Sequence, residues 1–106
     1  MTFDPADAGP VVLFYVQHLR GVGHAFRAAR VGRALAARGA RVHLVWGGSR
    51  LPSIDLSGLD VTWLDPVKVG DDSYSELVDL AGRPVDQAFR EDRCAMLLDL
   101  FERTRP

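Results

Sequence analysis

The sequence predicts an α/β fold, a Rossmann-like parallel sheet of three strands flanked by two main helices and shortened relative to a full sheet. Strand-like and helix-like segments alternate along the chain, which favours right-handed crossovers between parallel strands. The first strand-like run is continuously apolar, as in strands covered on both faces. A glycine-bearing loop joins that run to an amphipathic helix.

The composition sets the limits of this fold. A chain of 106 residues with 47% hydrophobic and 25% charged residues has the size and make-up of one globular domain. With a net charge of −1, the chain is not basic, as a nucleic-acid-binding domain is expected to be. The single cysteine, Cys94, excludes a disulfide framework and a multi-cysteine zinc site. No apolar run approaches the roughly 20 residues of a membrane-spanning helix, so a cytoplasmic setting is expected.

The first half of the chain contains the clearest elements. Residues 1–10 are rich in turn formers and are interpreted as a flexible leader, with the domain occupying residues 11–106. Val11–Val16 is the continuous apolar run that predicts the first strand. From His24 to Arg38 small apolar residues share one side and arginines the other, which predicts a helix packed closely on the sheet.

The second strand is predicted at Arg41–Trp46, where two glycines then stop it. Residues 49–60 are expected to form a loop held by apolar anchors: Leu51, Ile54, Leu56 and Leu59. A short third strand is predicted at Val61–Leu64. In this layout the first strand normally lies between the second strand and a fourth one. No fourth strand follows in the sequence, so we expect the first strand at an open edge of an incomplete layer.

The last third is less clear until its final helix. Residues 67–82 are ambiguous, and Tyr74–Leu80 is compatible with one or two helical turns. Pro84 is expected to open a long helix that continues to about Arg103, because proline is favoured in a first helical turn. Its predicted apolar stripe consists of Val85, Phe89, Met96 and Leu100, widened by Leu97 and Phe101.

The loop between the first strand and the first helix carries the main chemical signal. Gly21 and Gly23 let a ligand approach the backbone, and a helix N-terminus attracts anions. The dinucleotide fingerprint is incomplete, because Phe26 stands where its third glycine belongs and no acidic residue ends the second strand. A Walker A loop is excluded, since the sequence has no Gly-Lys-Ser/Thr.

These residues carry a family resemblance. The segment from Phe14 to His24, ending in Gly-Val-Gly-His, and the helix that ends in Ala-Leu-Ala-Ala-Arg-Gly resemble the N-terminal domain of a predicted group of GT-B glycosyltransferases. That group is similar to glycosyltransferase family 28, which includes the N-acetylglucosaminyltransferase of peptidoglycan precursor synthesis. Residues 78–86 resemble a further stretch of the group, and the likeness covers nearly the whole chain from Val11.

The resemblance implies two Rossmann-like domains facing across a cleft, with the acceptor on the N-terminal domain and the nucleotide-sugar on the other. The donor implied is a uridine diphosphate sugar, with no separate cofactor and no metal. His24 takes the place of the general base for the acceptor hydroxyl, and Gly21 and Gly23 lie near the donor diphosphate. The donor-binding half is absent from these 106 residues, so we expect the chain alone to be inactive.

Other residues near the loop have two interpretations each. His18 lines the same cleft or anchors the loop by a hydrogen bond, and Arg20 and Arg27 meet phosphate or belong to a solvated arginine face. His43 is interpreted as structural because it lies within a strand. The three histidines lack the spacing of metal ligands.

Three functions therefore remain open. The first is one half of a glycosyltransferase, acting on a nucleotide-sugar and an acceptor that the sequence does not identify. The second is a non-catalytic remnant or a partner-dependent subunit, completed by a second chain that carries the donor-binding domain. The third is a nucleotide-binding Rossmann-like protein. A lipid-linked acceptor, and thus a position at the inner membrane, is allowed by the resemblance, although no basic amphipathic helix supports membrane contact.

Overall fold

A computed structural model of the chain describes residues 9–19, 22–70 and 76–106. Its elements, in chain order, are β1 (Val11–Val16), α1 (Gly23–Ala37), β2 (Arg41–Trp46), β3 (Asp60–Trp63), β4 (Lys68–Val69), β5 (Leu77–Val78) and α2 (Gln87–Thr104). Neither helix in this described part is long and apolar enough to cross a membrane.

The central sheet is parallel and has the order β1-β2-β3. Val12 pairs with Val42, and Trp46 pairs with both Val16 and Trp63, so the three strands run side by side in register. This confirms the predicted α/β class, with three parallel strands and two helices. Within the described residues β1 pairs with β2 alone, which places the most apolar strand at an edge of the sheet.

Helix α1 covers one face of the sheet, and every second side chain of β1 and β2 points toward this helix. Its buried residues are all small, as predicted: Ala25, Ala28, Ala29 and Gly32. A Cβ at Gly32 would lie 3.3 Å from the Leu59 side chain, so the helix and the 49–60 loop are in close contact. The four apolar anchors of that loop pack on the same core, which confirms their predicted role. The helix ends before Gly39, whose φ of 97° suits glycine.

The opposite face of the sheet carries a smaller core under α2. Leu100 is 2% exposed and clusters with Val45 and Leu64, while Leu13 and Leu97 pack against them. Successive side chains of a strand point to opposite faces of the sheet, so β1 and β2 contribute side chains to both cores. The continuous apolar sequence of β1 follows from this double coverage, whereas β2 also contains Arg41 and His43.

The segment before α2 differs from the prediction. Residues 77–78 form the strand β5, antiparallel to β4, and Pro84 forms a bridge with Val78. The helical turns considered for Tyr74–Leu80 are therefore wrong at residues 77–78, while residues 71–75 lie outside the described part. Helix α2 starts at Gln87 instead of Pro84, because the Asp86 carboxylate caps it by accepting a 2.8 Å hydrogen bond from the Phe89 N–H.

The side of α2 that is buried against the sheet also differs from the predicted apolar stripe. Met96 is 42% exposed and Phe101 is 58% exposed, whereas Leu97 and Leu100 face the sheet. The inner side includes the half-buried Arg93, a charged residue that the apolar pattern did not select.

Candidate functional site

The carboxyl ends of β1, β2 and β3 meet at one edge of the sheet, where parallel α/β sheets usually bind ligands. The loop after β1 begins with Gln17 and His18, and the loop after β2 begins with Gly47 and Gly48. The Gly47 N–H donates to the Val16 carbonyl over 2.8 Å, so the two loops leave the sheet side by side.

His18 anchors the loop after β1. Its side chain is buried, and its Nε2 lies 2.7 Å from the Ser49 carbonyl oxygen. A carbonyl oxygen only accepts, so Nε2 carries the proton of this bond. The Trp46 Nε1–H donates to the same oxygen over 2.9 Å, and the two rings meet edge to face with centroids 5.7 Å apart. Of the two roles predicted for His18, the geometry fits the loop anchor.

Gly48 is packed against this histidine. A Cβ at Gly48 would lie 2.5 Å from the His18 ring and 2.8 Å from its backbone carbonyl oxygen. The second of these contacts involves backbone and is not relieved by a side-chain rotation. The absence of a side chain at Gly48 thus lets the two loops touch.

Gly48→Ala is expected to lower the free energy of unfolding by about 1–3 kcal/mol, because the added methyl group forces the His18 loop away from β2. Gly23→Ala is the matched control, since a Cβ at Gly23 would have no neighbouring atom within 4 Å. Gly23 is the first residue of α1, where alanine is a good helix former. Urea unfolding of both variants measures the difference. Equal stabilities for the two would show that the close contact does not hold the loops.

Arg93 of α2 crosses beneath the same edge and joins all three strand ends. Its Nη1 donates to the Tyr15 hydroxyl over 2.8 Å and to Gln17 Oε1 over 2.9 Å. Its Nη2 donates to the carbonyl oxygens of Gly47, over 3.5 Å, and Asp65. Within the described part of the chain it has no carboxylate partner in an ion pair. Its guanidinium group contacts neutral oxygen atoms and lies over the Phe89 ring, 5.3 Å from the ring centroid.

Gln17 completes this arrangement from the loop side. Its Nε2 donates to the Gly47 carbonyl over 3.0 Å and lies 3.5 Å from the Val67 carbonyl oxygen. The Tyr15 hydroxyl donates to Gln17 Oε1 over 2.9 Å. Tyr15, Gln17 and Arg93 therefore form one hydrogen-bonded group, which we call the Arg93 cluster. It fixes the strand ends relative to α2.

The predicted catalytic and binding residues lie at the start of α1. His24 occupies its first turn, is exposed, and makes no side-chain hydrogen bond with the described residues. Val22 is the N-cap and offers no side-chain acceptor, and the first turn has no acidic residue. The amide groups at this helix end thus lack a side-chain cap, and Gly23 faces open space. Arg27 is exposed one turn further along.

The structure brings some predicted residues together and not others. Gly23, His24 and Arg27 share the start of α1, while His18 turns inward to the Trp46 side. Arg20 and Gly21 lie outside the described residues. His43 bonds to Thr62 Oγ1 over 2.7 Å, in keeping with its structural interpretation. Among the described residues no three His, Cys, Asp or Glu side chains cluster as metal ligands do.

The Arg93 cluster was not identified from the sequence. The predicted apolar stripe of α2 did not include Arg93, and the exposed ion pair of this helix joins Arg103 to Asp99, over 2.8 Å. A signal was present, because Arg93 falls between Phe89 and Leu97 on the helical side that packs on the sheet.

Comparison with protein-family models, with curated proteins and with solved structures found no match to this chain.

Proposed function

We propose that this chain supplies the acceptor-side layer of a GT-B glycosyltransferase similar to family 28. The observation that carries the proposal is the placement of His24, exposed in the first turn of a helix without a side-chain cap, at the carboxyl edge of a parallel sheet. A base and an anion-binding helix end then adjoin each other, an arrangement that serves transfer from a nucleotide-sugar to a hydroxyl group.

The chemistry assigned to His24 is proton removal. Imidazole is a suitable general base near neutral pH. His24 takes the proton of the acceptor hydroxyl, the oxygen attacks the anomeric carbon, and the bond from that carbon to the diphosphate breaks. The amide groups at the start of α1 stabilise the negative charge that develops on the departing diphosphate.

In this proposal the nucleotide is held mainly by a second domain, in the same polypeptide or on a partner chain. The isolated layer then offers the diphosphate only the end of α1 and its neighbouring cations. We therefore expect weak binding of uridine diphosphate, on the order of millimolar.

The test is a titration of the isotope-labelled chain with uridine diphosphate, followed through its backbone amide resonances. The amides of residues 22–25 are expected to shift, and uridine, which lacks the diphosphate, is expected to leave them in place. If these amides stay unmoved at tens of millimolar diphosphate while the chain remains folded, the proposal fails.

A partner-dependent, non-catalytic role is a second candidate, favoured by the edge position of β1 within the described sheet. A strand with one unpaired side is able to pair with a strand of another polypeptide. In this case purified chain associates as its concentration rises in sedimentation experiments. A stable monomer over that range would count against this role.

A further inference from the structure

A cavity of about 270 Å³ lies at the carboxyl edge of the sheet on the α2 side. Its apolar wall is formed by Leu19, Val67, Leu77, Val85 and Phe89. Arg90 and the Arg93 cluster line the remainder. The cavity is thus separate from the start of α1, which covers the other face of the sheet.

The charged side chains that line this cavity are all positive among the described residues. Among the residues that the structure describes, two guanidinium groups line it and no carboxylate does. Arg90 makes no side-chain hydrogen bond or ion pair with the described residues, and it is exposed. Arg93 donates hydrogen bonds to neutral oxygen atoms, and its Cζ lies 5.3 Å from the centroid of the Phe89 ring. Its Nε is buried and has no hydrogen-bond partner in the described part of the chain. A buried donor left without an acceptor is uncommon in folded proteins.

We propose that this cavity binds a small apolar monocarboxylate, with its apolar body against Val85 and Phe89 and its carboxylate toward Arg90 and Arg93. The volume suits this class, since a cavity of about 150 Å³ already accommodates benzene. One anionic group facing two guanidinium groups satisfies the charge, and the apolar wall excludes a ligand that is polar throughout. The inference does not rest on the proposed glycosyltransferase function.

Binding is tested with octanoate, 1-octanol and octylamine, which share one apolar chain and differ in their head group. Calorimetry and amide shifts are measured on the whole chain. Octanoate is expected to bind about tenfold more tightly than 1-octanol, with octylamine weakest, and to shift the amides of Val67, Leu77 and Phe89. Equal binding of the three compounds, or no binding of octanoate, would overturn the proposal.

Two pairs of variants locate the site. Leu77→Trp fills the cavity, whereas Leu80→Trp places the same ring on an exposed position outside it. Octanoate binding should disappear in the first variant and persist in the second. Arg90→Gln should weaken binding about three- to fivefold, while Arg83→Gln, exposed and outside the cavity, should not change it.

Thermal unfolding of each variant shows whether it is folded before binding is measured. Octanoate binding that is unaffected by both Leu77→Trp and Arg90→Gln, in folded protein, would place the ligand elsewhere and refute the assignment.

Discussion

Trp46→Ala is expected to lower the free energy of unfolding by about 3–5 kcal/mol, because it removes the largest fully buried side chain of the described residues. The Trp46 side chain is fully buried, contacts the Trp63 ring at a centroid distance of 5.5 Å, and is hydrogen-bonded through Nε1 to the Ser49 carbonyl. Alanine leaves a large cavity at the end of β2 and removes one of the two donors to Ser49. A domain of this size is stable by only about 5–15 kcal/mol.

The measurement is thermal or urea unfolding, with Trp63→Ala as the matched control. Trp63 is half-buried and stacks partly under the Arg50 guanidinium, 4.4 Å from its ring centroid, so its loss should cost less. A midpoint fall of more than about 12 °C is expected for Trp46→Ala. If both variants lose the same stability, the buried Trp46 contributes no more to the core under α1 than the half-buried Trp63 does.

Arg93→Ala is expected to lower the free energy of unfolding by about 2–4 kcal/mol, which is an unusually large loss for an arginine on a helix. The change removes the only described side chain that joins α2 to the ends of all three sheet strands. It also leaves the Gly47 and Asp65 carbonyl oxygens without this donor. Hydrogen bonds from a charged donor are worth more than neutral ones, and several are lost together.

Arg103→Ala on the same helix provides the control, because its 2.8 Å ion pair with Asp99 is exposed. Such surface pairs are worth about 0–1 kcal/mol. Arg93→Lys separates charge from geometry, since an ammonium group cannot reproduce the forked contacts with Tyr15 and Gln17. An Arg93→Ala variant no less stable than Arg103→Ala would show that the Arg93 cluster does not hold α2 on the sheet.

The first half of the fold could be predicted from the sequence because its patterns have one physical cause each. β1 is continuously apolar since both of its faces are covered, and β2 is apolar at four of its six positions. The bounds of both strands were predicted to the residue. Helix α1 has a face of small residues since it lies close to the sheet, and it is shifted by one residue from its predicted start and end. β3 is likewise displaced by one residue, to Asp60–Trp63.

The second half was harder because tertiary contacts override its local signals. Pro84 is a common first residue of a helix, yet here it pairs with β5, and Asp86 two residues later is the better cap. The two-residue strands β4 and β5 are too short to produce an alternating pattern. The inward position of Arg93 depends on the carbonyl groups of Gly47 and Asp65, in the loops that follow β2 and β3, which no local sequence pattern specifies.

In the candidate site, too, some features have a local sequence signal and others depend on tertiary contacts. A glycine loop before a helix directs attention to His24 and Gly23, and both lie where a ligand can reach them. His18 looks equivalent in the sequence, but its partner Ser49 is 31 residues away, and only the fold reveals that it is held inside.

We propose that His24 stands beside a bound nucleotide-sugar. The most direct measurement is the imidazole carbon–proton spectrum of the three histidines during titration with uridine diphosphate N-acetylglucosamine. The His24 signals are expected to move in proportion to ligand bound, while those of His18 and His43, which are hydrogen-bonded to Ser49 and Thr62, stay in place. Unmoved His24 signals, under conditions where the start of α1 binds the ligand, would contradict the role assigned to this histidine.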